Sequence, residues 1–299
     1  MTEEILGFLK ANDVKYTRDE YLSRLSTVKI GGMADFVAYP DSETKLIHLV
    51  EFLEEEKIEY KILGRMSNVL PPDDIYRGVI VRTDLMRRVD FQDNIIVAEA
   101  GISLPRFSSL CQDMSLSGLE ELSGIPGSLG GSIFGNAGAY GREISDLVGG
   151  VRAYDVEKRA IFDIPIEKLG FSYRTSAFKQ SRLVILSARL KLVCCDRENI
   201  RAKIGEISAK RRSSQPIDKP SLGSTFKRPN ENVYPWRLID SCGLRGFSIG
   251  GAGVSKKHAG FIVNQGNATS DDYLAVATYV KNTVQEKTGV TLEYEFEIL

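Results

Sequence analysis

The residues best suited to holding an anion lie in one eighteen-residue run, GIPGSLGGSIFGNAGAYG (Gly124–Gly141), in which seven positions are glycine. Glycine loses more backbone freedom on folding than any other residue, so such a cluster must return something that side chains would prevent. Successive backbone N–H groups in an irregular turn form an anion-binding concavity. Glycines let the chain approach a phosphate closely, and Ser128 and Ser132 add hydroxyl donors. A second polar turn, LGRMSNVL (Leu63–Leu70), sets a glycine, an arginine, a serine and an asparagine directly after the apolar stretch YKIL. Two such turns could clasp opposite sides of one diphosphate. The competing reading of the glycine run is a structural loop.

Two better-known phosphate devices are excluded. A Walker loop needs GxxxxGK[ST], and the glycine run contains no lysine. A Rossmann turn needs GxGxxG between a strand and a helix, with an acidic residue after the second strand. Neither that spacing nor that acid is present. A dinucleotide bound here is held by some other geometry.

The elements that must carry these turns are read from periodicity. Thr44–Lys57 places Leu46, Ile47, Val50 and Leu53 on one helical face. YKIL, Gly78–Thr83 and Asn94–Gly101 read as strands, and SLPRFSSLCQDM as a helix. After the glycine run come the strand-like GVRAYDV and Arg182–Val193, the second nearly all apolar on one face. A second region begins near Glu198, where Ile200, Ile204 and Ile207 form a helical stripe. The Pro- and Ser-rich SSQPIDKPSLGS then reads as a linker or active-site loop. HAGFIVN reads as a strand. TSDDYLAVATYVKNTVQEKTG reads as a helix capped by Ser270, with Leu274, Ala277 and Val280 inward and Gly289 at its end. In TLEYEFEIL, Leu292, Tyr294, Phe296 and Ile298 alternate with Glu293, Glu295 and Glu297, the pattern of a half-buried strand. The expected class is α+β, with mixed sheets and more than one domain.

Composition narrows the function. A length of 299 residues favours two or three domains. A net charge of −1 gives no basic excess for nucleic acid or anionic membrane, and KRR (Lys210–Arg212) reads as a helix C-terminal cluster. No stretch approaches a membrane span and MTEEILGFLKANDVKY is no leader, so a cytoplasmic location is expected. The four cysteines, Cys111, Cys194, Cys195 and Cys242, form no CxxC pair. With only His48 and His258 there is no zinc spacing, so no metal is expected.

Seven segments in order carry a resemblance: STVKIGG (26–32), GRMSN (64–68), GLEELSGIPGSLGGSIFGNAGAYG (118–141), GFSYRTSAFK (170–179), SLGSTFKRP (221–229), GLRGFSIGGAGVSKKHAGFIVNQGNAT (243–269) and the terminal LEYEFEIL. Together they resemble the UDP-N-acetylenolpyruvoylglucosamine reductases of bacterial cell-wall synthesis, the MurB family. The resemblance implies an FAD-binding module of the vanillyl-alcohol-oxidase (PCMH) type followed by an α+β substrate-binding domain. The expected boundaries are 1–84 and 85–197 for two FAD-binding subdomains and 198–299 for the substrate domain, with the final strand able to return to the FAD module. It implies non-covalent FAD, NADPH as electron donor and a nucleotide-sugar substrate; a monomer is expected.

By the same resemblance, the FAD pyrophosphate is held by Gly64, Arg65, Met66, Ser67 and Asn68, and by Gly124, Gly127, Ser128, Gly130, Gly131 and Ser132. The family reduces an enolpyruvyl ether to a lactyl ether, so the site must stabilise developing charge and deliver a proton to carbon. Ser224 matches the proton donor, Arg174 the residue that pairs with the substrate carboxylate, and Glu295 the C-terminal catalytic glutamate. Glu295 is expected to be protonated beside the substrate carboxylate. Tyr173 is expected to shape the pocket, and Lys227 and Arg228 to meet the diphosphate or the carboxylate. Asn264 and Asn267 read as turn residues.

The chain departs from the family pattern at identifiable points. Met66 replaces a glycine of the GxGSN turn, where a positive φ would strain it unless the turn has changed, and Arg65 adds charge there. Tyr294 stands where a proline is usual and Trp236 where a small residue is more common. The chain has no room for the tyrosine-bearing loop of one subclass and so resembles the shorter subclass. Two other readings are an FAD-dependent oxidase or dehydrogenase of the same fold on another substrate, and a catalytically silent nucleotide-binding paralogue.

Overall fold

The computed structural model describes residues 2–92 and 95–299, so Asn94 of the expected strand lies outside the described residues. The chain separates into two compact units. Unit 1 comprises Met1–Arg18, Phe36–Arg65 and Arg77–Ala209, and unit 2 comprises Asp19–Asp35, Met66–Tyr76 and Lys210–Leu299. Both are discontinuous in sequence, because 19–35 and 66–76 cluster with the C-terminal segment.

A four-stranded sheet runs in the order Lys15–Tyr21, Met33–Tyr39, Tyr76–Arg82, Tyr60–Leu63. Its last two strands are parallel, with Leu63 opposite Arg82. The helices Thr2–Ala11 and Glu43–Glu55 cover one face of its unit 1 strands. Ile5, Leu9, Leu46, Leu49, Val50 and Leu53 pack there with Val79 and Val81. The second helix starts at Ser42, whose hydroxyl accepts the Lys45 N–H and so satisfies one otherwise orphaned donor.

The five-stranded sheet of unit 1 runs Ala160–Pro165, Val148–Asp155, Leu183–Lys191, Ile95–Glu99, Val89–Gln92, antiparallel throughout. Its apolar face meets the helix Leu104–Asp113, capped by Ser103, and the short helix Leu129–Phe134. Phe107, Leu129 and Ile133 are fully buried there. The short helix is the centre of the glycine run.

Unit 2 packs the helices Pro235–Ser241 and Ser270–Thr288 with a small sheet of Ser248–Ile249, Ala252–Val254 and Ile262–Asn264. Three local expectations are corrected here. Thr269, not Ser270, caps the long helix: its hydroxyl accepts the Asp272 N–H while the Asp272 carboxylate accepts the Thr269 N–H. Ser270 instead donates its N–H to the Asp73 carboxylate at 2.7 Å. The inward face of that helix is centred on Tyr273, Val276, Ala277, Val280 and Val284, with Leu274 at its margin, because the whole Tyr273 ring is buried.

The terminal segment is not one alternating strand. Only Glu297–Ile298 forms a strand, paired in parallel with Val69–Leu70, and Ile298 is exposed rather than inward. The preceding residues are held instead by a different partner, Thr225–Lys227. Two partners at different registers cannot share one face, and the alternation breaks between them.

Candidate active site

In unit 1 the glycine run folds as a strap across the five-stranded sheet. Leu129 donates its N–H to the Ile102 carbonyl and Gly130 to the Ala100 carbonyl, each at 2.8 Å, while Leu104 donates to the Gly127 carbonyl. A Cβ on Gly130 would lie 2.9 Å from the Ala100 Cβ, so no side chain fits. Ser128 caps the short helix by accepting the Gly131 N–H, and Ser132 donates its hydroxyl back to the Ser128 carbonyl at 2.7 Å. The amides of Gly130, Gly131 and Ser132 are therefore satisfied inside the protein, and these glycines supply closeness of approach. Gly124, half-buried, precedes the strap. The GRMSN turn meets the strap at Gly64, where a Cβ would lie 2.1 Å from the Ser128 hydroxyl oxygen. The unit 1 end of that turn is thus in contact with the strap, and the exposed Arg65 follows at once.

The strap also carries Arg174. Ser172 and Thr175 exchange two backbone hydrogen bonds, making a tight turn with Tyr173 and Arg174 at its tip. Arg174 sits in the left-handed region at φ 55°. Asn136, buried in the strap, donates its amide to the Ser172 carbonyl at 3.0 Å and to Glu143 at 2.8 Å, while its own carbonyl accepts the Ser145 N–H. Ser176 donates its hydroxyl to the Phe134 carbonyl. The Arg174 guanidinium reaches the Gly138 carbonyl at 3.4 Å and lies 4.9 Å over the Tyr173 ring. Tyr173 is exposed on its other side. Sequence reasoning did not single out Asn136; the only signal was its place inside the glycine run.

In unit 2, main-chain pairing joins the segment that follows Ser224 to the segment that carries Glu295. Ser224 is exposed between Gly223, at φ 82°, and the fully buried Thr225. Thr225 donates its N–H to the Gly260 carbonyl, accepts the Ile262 N–H on its hydroxyl, and accepts the Glu295 N–H on its carbonyl at 2.9 Å. One step on, Lys227 donates to the Glu293 carbonyl and Phe226 bridges Tyr294. Tyr294 stacks on Phe296 at 5.0 Å, and Phe296 meets the buried Tyr273 edge-on. Aromatic anchors therefore flank the half-buried Glu295 on both sides. Lys227 pairs with Glu293 at 3.4 Å and Arg228 lies over Tyr234, both away from Ser224 along the chain.

The rest of the GRMSN turn belongs to unit 2. Asn68 donates its side-chain amide to the Glu295 carbonyl, and its own carbonyl accepts the Glu297 N–H, each at 2.9 Å. Ser67 is half-buried. Met66 adopts φ 50° with its side chain 2% exposed. The replaced glycine position is left-handed here, and the methionine occupies it by burying its thioether.

Asn264 is a strut. Its amide donates to the Val28 and Lys29 carbonyls, and its oxygen accepts the Gly266 and Ala268 N–H groups. Asn267 is a left-handed turn residue at φ 56°. His258, packed between Trp236 and Phe261, accepts the Gly260 N–H on Nδ1. Burial holds its pKa below the ordinary imidazole value, and the Arg245 charge adds to this.

Residues 215–299 match the family described as the C-terminal domain of UDP-N-acetylenolpyruvoylglucosamine reductase, and residues 34–158 match the family described as FAD binding domain. The UDP-N-acetylenolpyruvoylglucosamine reductase of Caldanaerobacter subterraneus subsp. tengcongensis is 43% identical over 100% of this chain and 99% of its own length. The crystal structure of UDP-N-acetylenolpyruvylglucosamine reductase (MurB) from Thermus caldophilus superposes with a TM-score of 0.80 at 30% identity, covering 95% of this chain and 98% of that one. A solvent-stable cholesterol oxidase shares the fold alone, at TM-score 0.50 and 14% identity over 60% of this chain and 38% of its own. The α+β class and the FAD module of the vanillyl-alcohol-oxidase type are thereby established. With a full-length relative this similar, the chain belongs to the UDP-N-acetylenolpyruvoylglucosamine reductase family.

Proposed function

We propose that this protein reduces UDP-N-acetylglucosamine enolpyruvate to UDP-N-acetylmuramate, as a cytoplasmic monomer with FAD as cofactor and NADPH as reductant. The observation that supports the reading is the main-chain hydrogen bond between Glu295 and Thr225, the residue that follows Ser224. Neither another oxidase nor a silent paralogue needs Ser224 and Glu295.

The unit 1 cradle fits a dinucleotide phosphate. Gly64 and Gly130 have no room for a side chain because turn, strap and sheet approach one another closely there, and the polar Ser128 and Arg65 lie at that contact in the chain. Gly64, Arg65, Gly124, Gly127, Ser128, Gly130, Gly131 and Ser132 are assigned to it, together with Met66, Ser67 and Asn68 of the same turn. The four-stranded sheet within 1–84 and the five-stranded sheet within 85–197 support two FAD-binding subdomains, with 198–299 as the substrate domain and its final strand able to return to the FAD module.

The chemistry that FAD supplies when bound is a hydride for the terminal methylene carbon of the enolpyruvyl ether. The protein's own groups do the rest. Arg174 pairs with the substrate carboxylate through a guanidinium that stays charged throughout. Its turn is tied to the strap, so the charge is aimed before substrate arrives. Ser224 gives its hydroxyl proton to the neighbouring carbon. An alcohol is a weak acid, but an enolate-like carbon is comparably basic and the transfer path is short. Glu295, protonated, donates a hydrogen bond to the developing charge. Tyr173 shapes the pocket, and Lys227 and Arg228 meet the diphosphate or the carboxylate. No described helix is long and apolar enough to cross a membrane.

The test is purification followed by a flavin spectrum and NADPH oxidation with and without UDP-N-acetylglucosamine enolpyruvate. A yellow protein whose NADPH oxidation requires the UDP-sugar is expected. A colourless protein that takes up no FAD, or a yellow one indifferent to the UDP-sugar, overturns the reading.

A further inference from the structure

Asn136 is only 1% exposed and has a left-handed backbone, φ 42°, just beyond the short helix Leu129–Phe134. Asparagine tolerates that conformation better than other side chains and is used at such helix ends. Its amide is then fully committed. The amide nitrogen donates to the Ser172 carbonyl at 3.0 Å and to the Glu143 carboxylate at 2.8 Å, while the oxygen accepts the Ser145 N–H at 3.3 Å. An asparagine amide has two donors, so neither is left for a ligand. The side chain acts on other parts of the protein.

Two routes within unit 1 lead from it to Arg174. The first is direct: the Ser172 carbonyl belongs to the tight turn Ser172–Thr175 that has Arg174 at its tip. The second runs through Glu143, the cross-strand partner of Gly138 in the hairpin Gly138–Ala139, Arg142–Glu143. Tyr140 and Gly141 close that hairpin at φ 53° and 84°, both left-handed, as a tight two-residue connection requires. A Cβ on Gly138 would lie 3.0 Å from the Glu143 Cγ, so the strands touch. The Gly138 carbonyl in turn receives the Arg174 guanidinium at 3.4 Å. One buried amide thus fixes the main chain on which Arg174 stands and the carbonyl against which its guanidinium rests. Arg174 itself is left-handed at φ 55°, a conformation that a long side chain keeps only where its surroundings impose it.

We infer that Asn136 is the positioning residue of Arg174, holding turn and hairpin together so that the guanidinium fork is aimed before substrate binds. Without the amide the charge of Arg174 remains, but its direction is lost. The inference rests on the carboxylate-pairing role of Arg174 proposed above.

The test compares two ligands on the full-length FAD-loaded protein by calorimetric titration. UDP-N-acetylmuramate carries the lactyl carboxylate, and UDP-N-acetylglucosamine lacks it. Asn136→Gly removes the amide and keeps the left-handed backbone without strain. It is expected to weaken UDP-N-acetylmuramate ~10-fold, the lower end for a hydrogen bond to a charged group, and to leave UDP-N-acetylglucosamine at wild-type affinity. In an Arg174→Ala background the same substitution should cost the carboxylate ligand nothing further. Equal loss for both ligands means a structural role and overturns the inference. So does no loss, or an undiminished loss in the Arg174→Ala background. Should Asn136→Gly fail to fold, Asn136→Asp decides. It keeps the oxygen that serves Ser145 but not the donors, and the same carboxylate-selective loss is expected; uniform or absent loss overturns the inference. Arg174→Ala alone separates the two failures. If it spares UDP-N-acetylmuramate, the role of Arg174 falls and this inference with it. If it selectively weakens that ligand while the Asn136 variants do not, only this inference falls.

Discussion

Asn68 holds Glu295 from behind: its side-chain amide donates to the Glu295 carbonyl, and its own carbonyl accepts from Glu297 two residues on. The polar turn residue is a brace for the glutamate's backbone, whatever else it touches. Asn68→Ala is expected to lower kcat about fivefold, the equivalent of one hydrogen bond of about 1 kcal/mol. FAD affinity should fall too, because the same residue is assigned to the cofactor turn, so the brace is read from kcat at saturating FAD. A variant that loses FAD but keeps turnover when saturated with it would contradict the brace.

Ser224→Ala should slow substrate reduction by about 10²- to 10⁴-fold, the span of a lost general acid. Flavin reduction by NADPH alone should proceed at its normal rate, as followed by stopped-flow bleaching near the flavin maximum. Glu295→Gln tests the partner group. If the glutamine variant keeps full activity and the same acidic limb in its pH–rate profile, Glu295 has no catalytic part.

Gly64 and Ser128 form a pair testable by a double-mutant cycle. Gly64→Ala drives a methyl into the Ser128 hydroxyl and should destabilise the protein by about 1–3 kcal/mol. Ser128→Ala loses a helix cap, about 1 kcal/mol. The double variant should be more stable than the sum of the two losses predicts, because the clash disappears with the hydroxyl. Strict additivity in urea unfolding would mean that the turns do not touch.

Met66 sets two effects against each other. Its left-handed backbone costs a non-glycine residue about 1–2 kcal/mol, which Met66→Gly relieves. The same change exposes the site of a buried side chain worth about 1.5–3 kcal/mol and adds about 0.5–1 kcal/mol of unfolded-chain entropy. Packing wins on these magnitudes, so Met66→Gly should lower Tm although it restores the family residue. A higher Tm would show that strain dominates.

His258 gives the fold a pH dependence. Burial lowers its folded pKa below the unfolded 6.5. The stability it contributes is therefore complete above pH 6.5 and is lost as pH falls through the folded pKa, because the unfolded chain takes up the proton first. Tm should decline between pH 7.5 and 5.5, and His258→Gln should flatten that part of the curve. Equal slopes in both proteins would place the dependence elsewhere.

The sequence carried the elements whose burial is one-sided. Glu43–Glu55 and Leu183–Lys191 form where their apolar spacing puts them. It carried less where pairing is decided by remote partners. TLEYEFEIL alternates like a strand, yet its middle pairs with Thr225–Lys227 and its end with Val69–Leu70, and no local pattern encodes that division. The same holds for the site. Motif resemblance named Ser224, Arg174 and Glu295, whereas Asn136 and the Asn68 brace act by tying separated segments, which a lone asparagine in a turn does not announce. The left-handed Met66 was foreseeable only as a condition on its φ.

The Asn68–Glu295 bond spans 227 positions of the chain. During synthesis, then, the glutamate's brace is made early and waits for its load until nearly all of the polypeptide has left the ribosome. A nascent protein can order the strap, which closes within residues 100–176, well before it can order the main chain at Glu295. Ordering of the strap can precede ordering of the terminal segment in time, and a chain truncated before Glu295 would leave the Asn68 amide without that carbonyl.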